Sequence, residues 1–113
     1  MNWIADTEAR RDRAILAATA GVRAMLPAAA RLLVEQFGAT EVIVFGSFAT
    51  GGHPGEHSDI DLLVTNLDGR AILRATTAVT KLTGRAVDIV PAERARTEVV
   101  LAARLTGNVL HGP

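Results

Sequence analysis

From Asp6 to Phe37 the apolar side chains Ile15, Ala18, Val22, Met25, Leu26, Ala29, Leu32, Leu33 and Phe37 return at steps of three and four. That spacing lines one face of a helix. The stripe runs straight through Pro27, and a proline inside a helix costs ~3 kcal/mol and disfavours helix in the residue before it. Leu26–Pro27 therefore predicts a kink or a junction between two helices. After Phe37-Gly38 the period changes, and Glu41–Phe45 is a short β-branched run that reads as a buried first strand. Residues 51–58, GGHPGEHS, are turn formers, and Asp59–Thr65 reads as a second strand. Asn66–Gly69 then turns into a helix over 70–82 with Asp68 as its N-cap, and Thr83-Gly84 stops it. Arg85–Val90 reads as a third strand, and Pro91 pre-sets the first turn of a last helix ending near Gly107. Residues 108–113 are left as a short tail.

Helix, strand, strand, helix, strand, helix is the order of an α/β (α+β) domain, a small mixed sheet flanked by helices. The strand–helix–strand crossover suits a right-handed parallel unit. A chain of 113 residues holds one core, so 1–113 is read as a single domain with a helical segment, 1–37, packed on it.

Charge and composition then remove several functions. Twelve basic and twelve acidic side chains cancel, which argues against nucleic-acid binding through phosphates. The absence of cysteine rules out disulfides and thiolate zinc sites and suits a reducing compartment. No basic start precedes an apolar run, and no apolar stretch approaches the ~20 residues of a membrane span. A cytoplasmic chain with no membrane partner is expected.

Two carboxylates break the second apolar run. On a strand, residues i and i+2 share a face, so Asp59 and Asp61 project together while Ile60 and Leu62 turn away. Ionised groups that close repel one another and call for a cation or a solvated edge; Mg²⁺ takes one or two carboxylates plus phosphate oxygens. Upstream, Gly46 allows close backbone approach and Ser47 can cap a helical turn, Phe48–Gly51, which together read as a phosphate seat. Asp88 repeats the anomaly inside Ala-Val-Asp-Ile-Val. If its strand lies beside 59–65, Asp88 can bridge a metal or take a proton from an attacking hydroxyl. Taken singly, each feature has a plainer explanation. Gly46-Ser47 suits an ordinary turn, and Asp88 can pair with Arg85 or Arg74. His53 and His57 read as solvated loop residues, and Arg74, Lys81 and Arg85 as solvated charges at helix ends. Trp3 and Ile4 read as a hydrophobic staple or part of an interface.

Taken together, Gly46-Ser47, eleven intervening residues, Asp59-Ile60-Asp61 and a later Asp88 resemble the signature of the nucleotidyltransferase fold of the DNA polymerase beta superfamily. Size, the helix before the first strand and the ending Arg104-Leu-Thr-Gly-Asn-Val-Leu110 look most like its minimal nucleotidyltransferases, over roughly residues 20–110. The resemblance implies that Gly46 and Ser47 hold a nucleoside triphosphate, that Asp59 and Asp61 bind Mg²⁺, and that Asp88 is a third metal ligand or a general base, with two metals in all. It also implies AMP transfer from ATP to a hydroxyl of a HEPN-type toxin, in a hetero-oligomer where this chain is the antitoxin. A catalytically degenerate antitoxin that acts by binding alone is the alternative. Many minimal members carry Arg where this chain has Thr50, and the basic residue before the third acid's strand is shifted here to Arg85.

Overall fold

The structure, a computed structural model, describes residues 3–112. A long helix, α1 (Trp3–Phe37), leads into β1 (Glu41–Phe45), a 3-10 turn (Gly46–Phe48) and β2 (Ile60–Thr65). A second 3-10 turn (Gly69–Ala71) opens α2 (Ile72–Thr83), which is followed by β3 (Val87–Pro91), α3 (Thr97–Thr106) and β4 (Asn108–His111). The strands form one sheet in the order β3-β2-β1-β4, with β1 antiparallel to both neighbours and β2 parallel to β3. This is the small mixed sheet flanked by helices that the pattern predicts.

Strand alternation divides the core between the two faces of the sheet. Val42, Val44, Ile60, Leu62, Val64 and Ile89 join Leu26, Ala29 and Leu33 of α1 and Ala75 and Val79 of α2 in the larger cluster. Ile43 and Leu63 pack with Ala103 of α3 in a much smaller one on the other face. Asp61 follows the parity of Leu63, so it belongs to the thinly covered face and is half-buried. That uneven cover is what leaves room for a site.

Several expectations are corrected. Neither junction nor break occurs at Pro27, and α1 is continuous. Pro27 and Arg23, whose carbonyl loses its partner, both lie on the exposed side where water can satisfy it. Packing of Val22 and Leu26 before the proline and Ala29, Ala30 and Leu33 after it holds both halves in line. The helix also starts earlier than Asp6. Burial along it begins only at Thr19, so the preceding turns stand clear of the sheet. At ~1.5 Å per residue its 35 residues account for most of the molecule's longest dimension, 56 Å. By length and composition α1 could cross a membrane, contrary to expectation, although a core helix meets the same loose criterion.

Pro91 does not open the last helix. It ends β3 opposite Val64, on an edge strand where no further ladder partner needs its missing N–H. Its carbonyl accepts from Arg94 and Ala95, and that turn delays α3 to Thr97. The tail after Gly107 is β4, which pairs with the free edge of β1. Only the fold supplies that edge.

Candidate active site

The register of β2 and β3 sets Asp61 directly opposite Asp88, and neighbouring strands run ~4.8 Å apart. Asp59 is the residue before β2, two positions from Asp61. Burial, then the Asp88 carboxylate, then the Asp59 carboxylate push the Asp61 carboxyl above its ordinary value. Asp61 therefore feels both neighbouring acids. None of them has a side-chain hydrogen bond or ion pair among the described residues, so Asp88 pairs with neither Arg85 nor Arg74. As they stand, no group of three or more His, Asp or Glu among the described residues forms a finished metal cage.

Gly46 faces Asp61 from the end of β1. Its φ is +73°, and a Cβ there would lie 2.5 Å from Oδ2 of Asp61. Only glycine lets the chain turn here without displacing that carboxylate. Ser47 lies inside the 3-10 turn rather than at its cap, which Phe45 occupies, and the expected turn Phe48–Gly51 is not helical. The reason is local: with Gly46 left-handed, the turn starts two residues earlier, and Ala49 is already extended. The Ser47 hydroxyl has no hydrogen-bond partner among the described residues. Further along, Gly52 donates to the Ala49 carbonyl and packs so tightly on the Ser47 carbonyl that a side chain would collide with it.

Arg85 is the residue whose place the sequence did not reveal. Rather than standing in solvent, its Nη1 donates to the carbonyls of Gly55 (3.0 Å), Glu56 (3.1 Å) and Ser58 (3.1 Å). Its guanidinium also lies over the ring of Phe48, 5.5 Å from the centroid. Two further ties hold the region: Arg11 pairs with Glu56 at 2.9 Å, and the Thr50 amide donates to Oδ1 of Asn108 at 2.6 Å. Such contacts between residues far apart in sequence leave no periodic trace. His53 and His57 are exposed, as are Arg74 and Lys81.

A model of the nucleotidyltransferase domain matches residues 28–104, well over half of the chain. The chain belongs to this family. This nucleotidyltransferase is 33% identical to the solved structure of a protein assigned as a minimal nucleotidyltransferase, over 79% of this chain and 92% of that one, with a TM-score of 0.66. A toxin-antitoxin solved with AMP-PNP shares its fold at TM-score 0.68 and 23% identity, covering 77% of this chain and 73% of the other. So does a complex of tri-AMPylated Shewanella oneidensis HEPN toxin with its MNT antitoxin, at TM-score 0.58 and 19% identity, covering 84% and 73%. A comparison with curated proteins finds no match.

The three acids of this nucleotidyltransferase offer the donor type of a hard divalent cation, although among the described residues no three such groups are gathered closely enough to hold one. All the available donors are carboxylate oxygens, and Mg²⁺ completes its shell with water and phosphate rather than a closed protein cage. Asp61, held above its ordinary pKa by burial and two like charges, is the group that a cation would relieve most directly.

Proposed function

We propose that this nucleotidyltransferase is the antitoxin of a toxin-antitoxin pair and transfers AMP from ATP to a hydroxyl of a HEPN-type partner, with Mg²⁺ at Asp59, Asp61 and Asp88. The observation that carries the reading is the register that sets Asp61 opposite Asp88 and two residues after Asp59, with Gly46 at a left-handed φ where a side chain would press on the Asp61 carboxylate. Similarity of fold to a complex with an AMPylated HEPN toxin and to a toxin-antitoxin solved with AMP-PNP supports the partner and the group transferred. The cytoplasm suits a chain without cysteine.

In the reaction the acceptor oxygen bonds to the α-phosphorus of ATP, the bond from that phosphorus to the bridging oxygen breaks, and pyrophosphate leaves. The hydroxyl proton passes to a base, for which Asp88 is the candidate on the outer strand. Mg²⁺ held by Asp59, Asp61 and Asp88 would supply charge stabilisation for the attacking and leaving oxygens. The chain's own residues do the positioning. Gly46 leaves space for the carboxylate of Asp61, and the free hydroxyl of Ser47 can donate to a phosphate oxygen.

Incubation with labelled ATP, Mg²⁺ and the HEPN-type partner should transfer label to the partner. Asp59→Ala and Asp61→Ala should each cut the rate at least ~100-fold, since metal-held charge is worth several kcal/mol. Label transfer that persists in both variants would sink the reading. Thr50 favours a second one, in which a degenerate site leaves only partner binding: the residue brings no cation, and its amide is committed to Asn108. Calorimetry separates the two, because the binding-only antitoxin shows no Mg²⁺-dependent uptake of ATP and keeps its partner affinity in the aspartate variants.

A further inference from the structure

We propose that Arg85 is a positioning residue that fixes the peptide group before Asp59 and so sets its distance from Asp88 and from Gly46-Ser47. The inference rests on the reading of the three aspartates as a metal-nucleotide site. The peptide group before Asp59 offers the Ser58 carbonyl to Arg85 at 3.1 Å, and the amide after it, on Ile60, donates to Ala86 at 2.9 Å. Asp59 is bracketed by two consecutive residues, and the strand that runs on from them carries Asp88 two positions later.

The same guanidinium reaches the other half of the site. It lies over Phe48, which is buried and directly follows Ser47. One side chain therefore touches the turn after Gly46, the loop before Asp59 and the approach to Asp88. The need is physical. Residues 51–58 contain three glycines, the residues with most conformational freedom to lose, and the loop's other anchors are exposed: Arg11 on Glu56 and Arg23 on the Gly52 carbonyl at 3.3 Å. Arg85 is half-buried and gathers the carbonyls of Gly55, Glu56 and Ser58 with charge-assisted hydrogen bonds. A solvated helix-end charge would need none of this.

The test compares Arg85→Gln and Arg85→Lys with Arg11→Ala, which breaks only the exposed tie on the same loop. Three quantities are read: amide hydrogen exchange over 55–60, Mn²⁺ affinity by calorimetry with a non-hydrolysable ATP analogue, and kcat and KM for AMP transfer. Arg85→Gln should speed exchange over 55–60 while leaving the centres of β1 and β2 protected. It should weaken Mn²⁺ binding ~10- to 100-fold, as loss of a group that orients a metal ligand does. It should also lower kcat while KM for ATP stays within about threefold, the pattern of an interaction felt in the transition state. Lysine, whose ammonium can sit within the same three carbonyls, should recover most of the loss, and Arg11→Ala should behave like the wild type. Wild-type Mn²⁺ affinity and exchange in Arg85→Gln would overturn the proposal alone. A wild-type chain that takes up no metal nucleotide would overturn the site reading, and the proposal with it.

Discussion

At the scale of single residues, the site is held in tension with stability. Asp61 is pushed above its ordinary pKa by burial and by its acidic neighbours, so the folded chain keeps a proton there that the unfolded chain has already released. Its contribution to stability therefore falls as pH rises from about 4, the unfolded value, through the raised folded one. Asp61→Asn should raise the melting temperature of the metal-free protein at pH 7, with the gain vanishing below about pH 4, and should abolish metal binding. A thermal melt across that range checks the sign. Gly46→Ala meets two penalties, a left-handed backbone worth ~1–2 kcal/mol and a collision with Oδ2 of Asp61. Urea unfolding should show at least the first, and calorimetry the loss of Mg²⁺-ATP uptake. The acids themselves were legible in the sequence, because charge inside an apolar strand violates its pattern. Arg85 was not, since a charge near a helix end looks the same whether it meets water or three carbonyls.

At the scale of elements, the helix through Pro27 and the join between α3 and β1 make opposite points. Pro27→Ala restores an intrahelical N–H at an exposed position and should stabilise the chain, by up to ~3 kcal/mol if the surrounding packing is unchanged. Chemical denaturation measures it. Across the sheet, Arg104 grips Glu41 with two bonds, of 2.6 and 2.8 Å, and Thr65 adds a third at 2.8 Å. The Arg104 hydrogen bond outweighs burial and holds the Glu41 carboxyl below its ordinary value. That contribution is fully present above about pH 4.3, the unfolded value, and is lost as pH falls through the lowered folded one. Arg104→Ala should cost about 1 kcal/mol at pH 7, discounted because Arg104 is half-exposed, and less in acid. Elements with clear local signals were readable: β1 and β2 are short apolar runs set off by turn formers, and α2 lies between the cap Asp68 and the stop at Gly84. A four-residue strand after a glycine has too short a period to announce itself, and β4 is a strand because β1 has an edge to offer.

At the scale of the whole molecule, α1 projects well beyond the globule that its second half helps to build. Trp3, Ile4 and Leu16 remain 71%, 53% and 66% exposed, whereas Val22 to Leu33 supply the core. Removal of residues 1–17 should thus leave the melting temperature within about 4 °C of the full chain, with the sheet's amide protection intact. The sequence alone determined the α/β order, the apolar runs that become the sheet, and the candidate acids and glycine, because each is a local violation or fulfilment of a period of two or 3.6. Only the tertiary structure decided the register that sets Asp61 opposite Asp88, that β4 exists, that Pro27 breaks nothing, and that Arg85 anchors the loop before Asp59. Those outcomes depend on register, on free strand edges and on contacts across dozens of residues, and none of these is written in the order of neighbouring side chains.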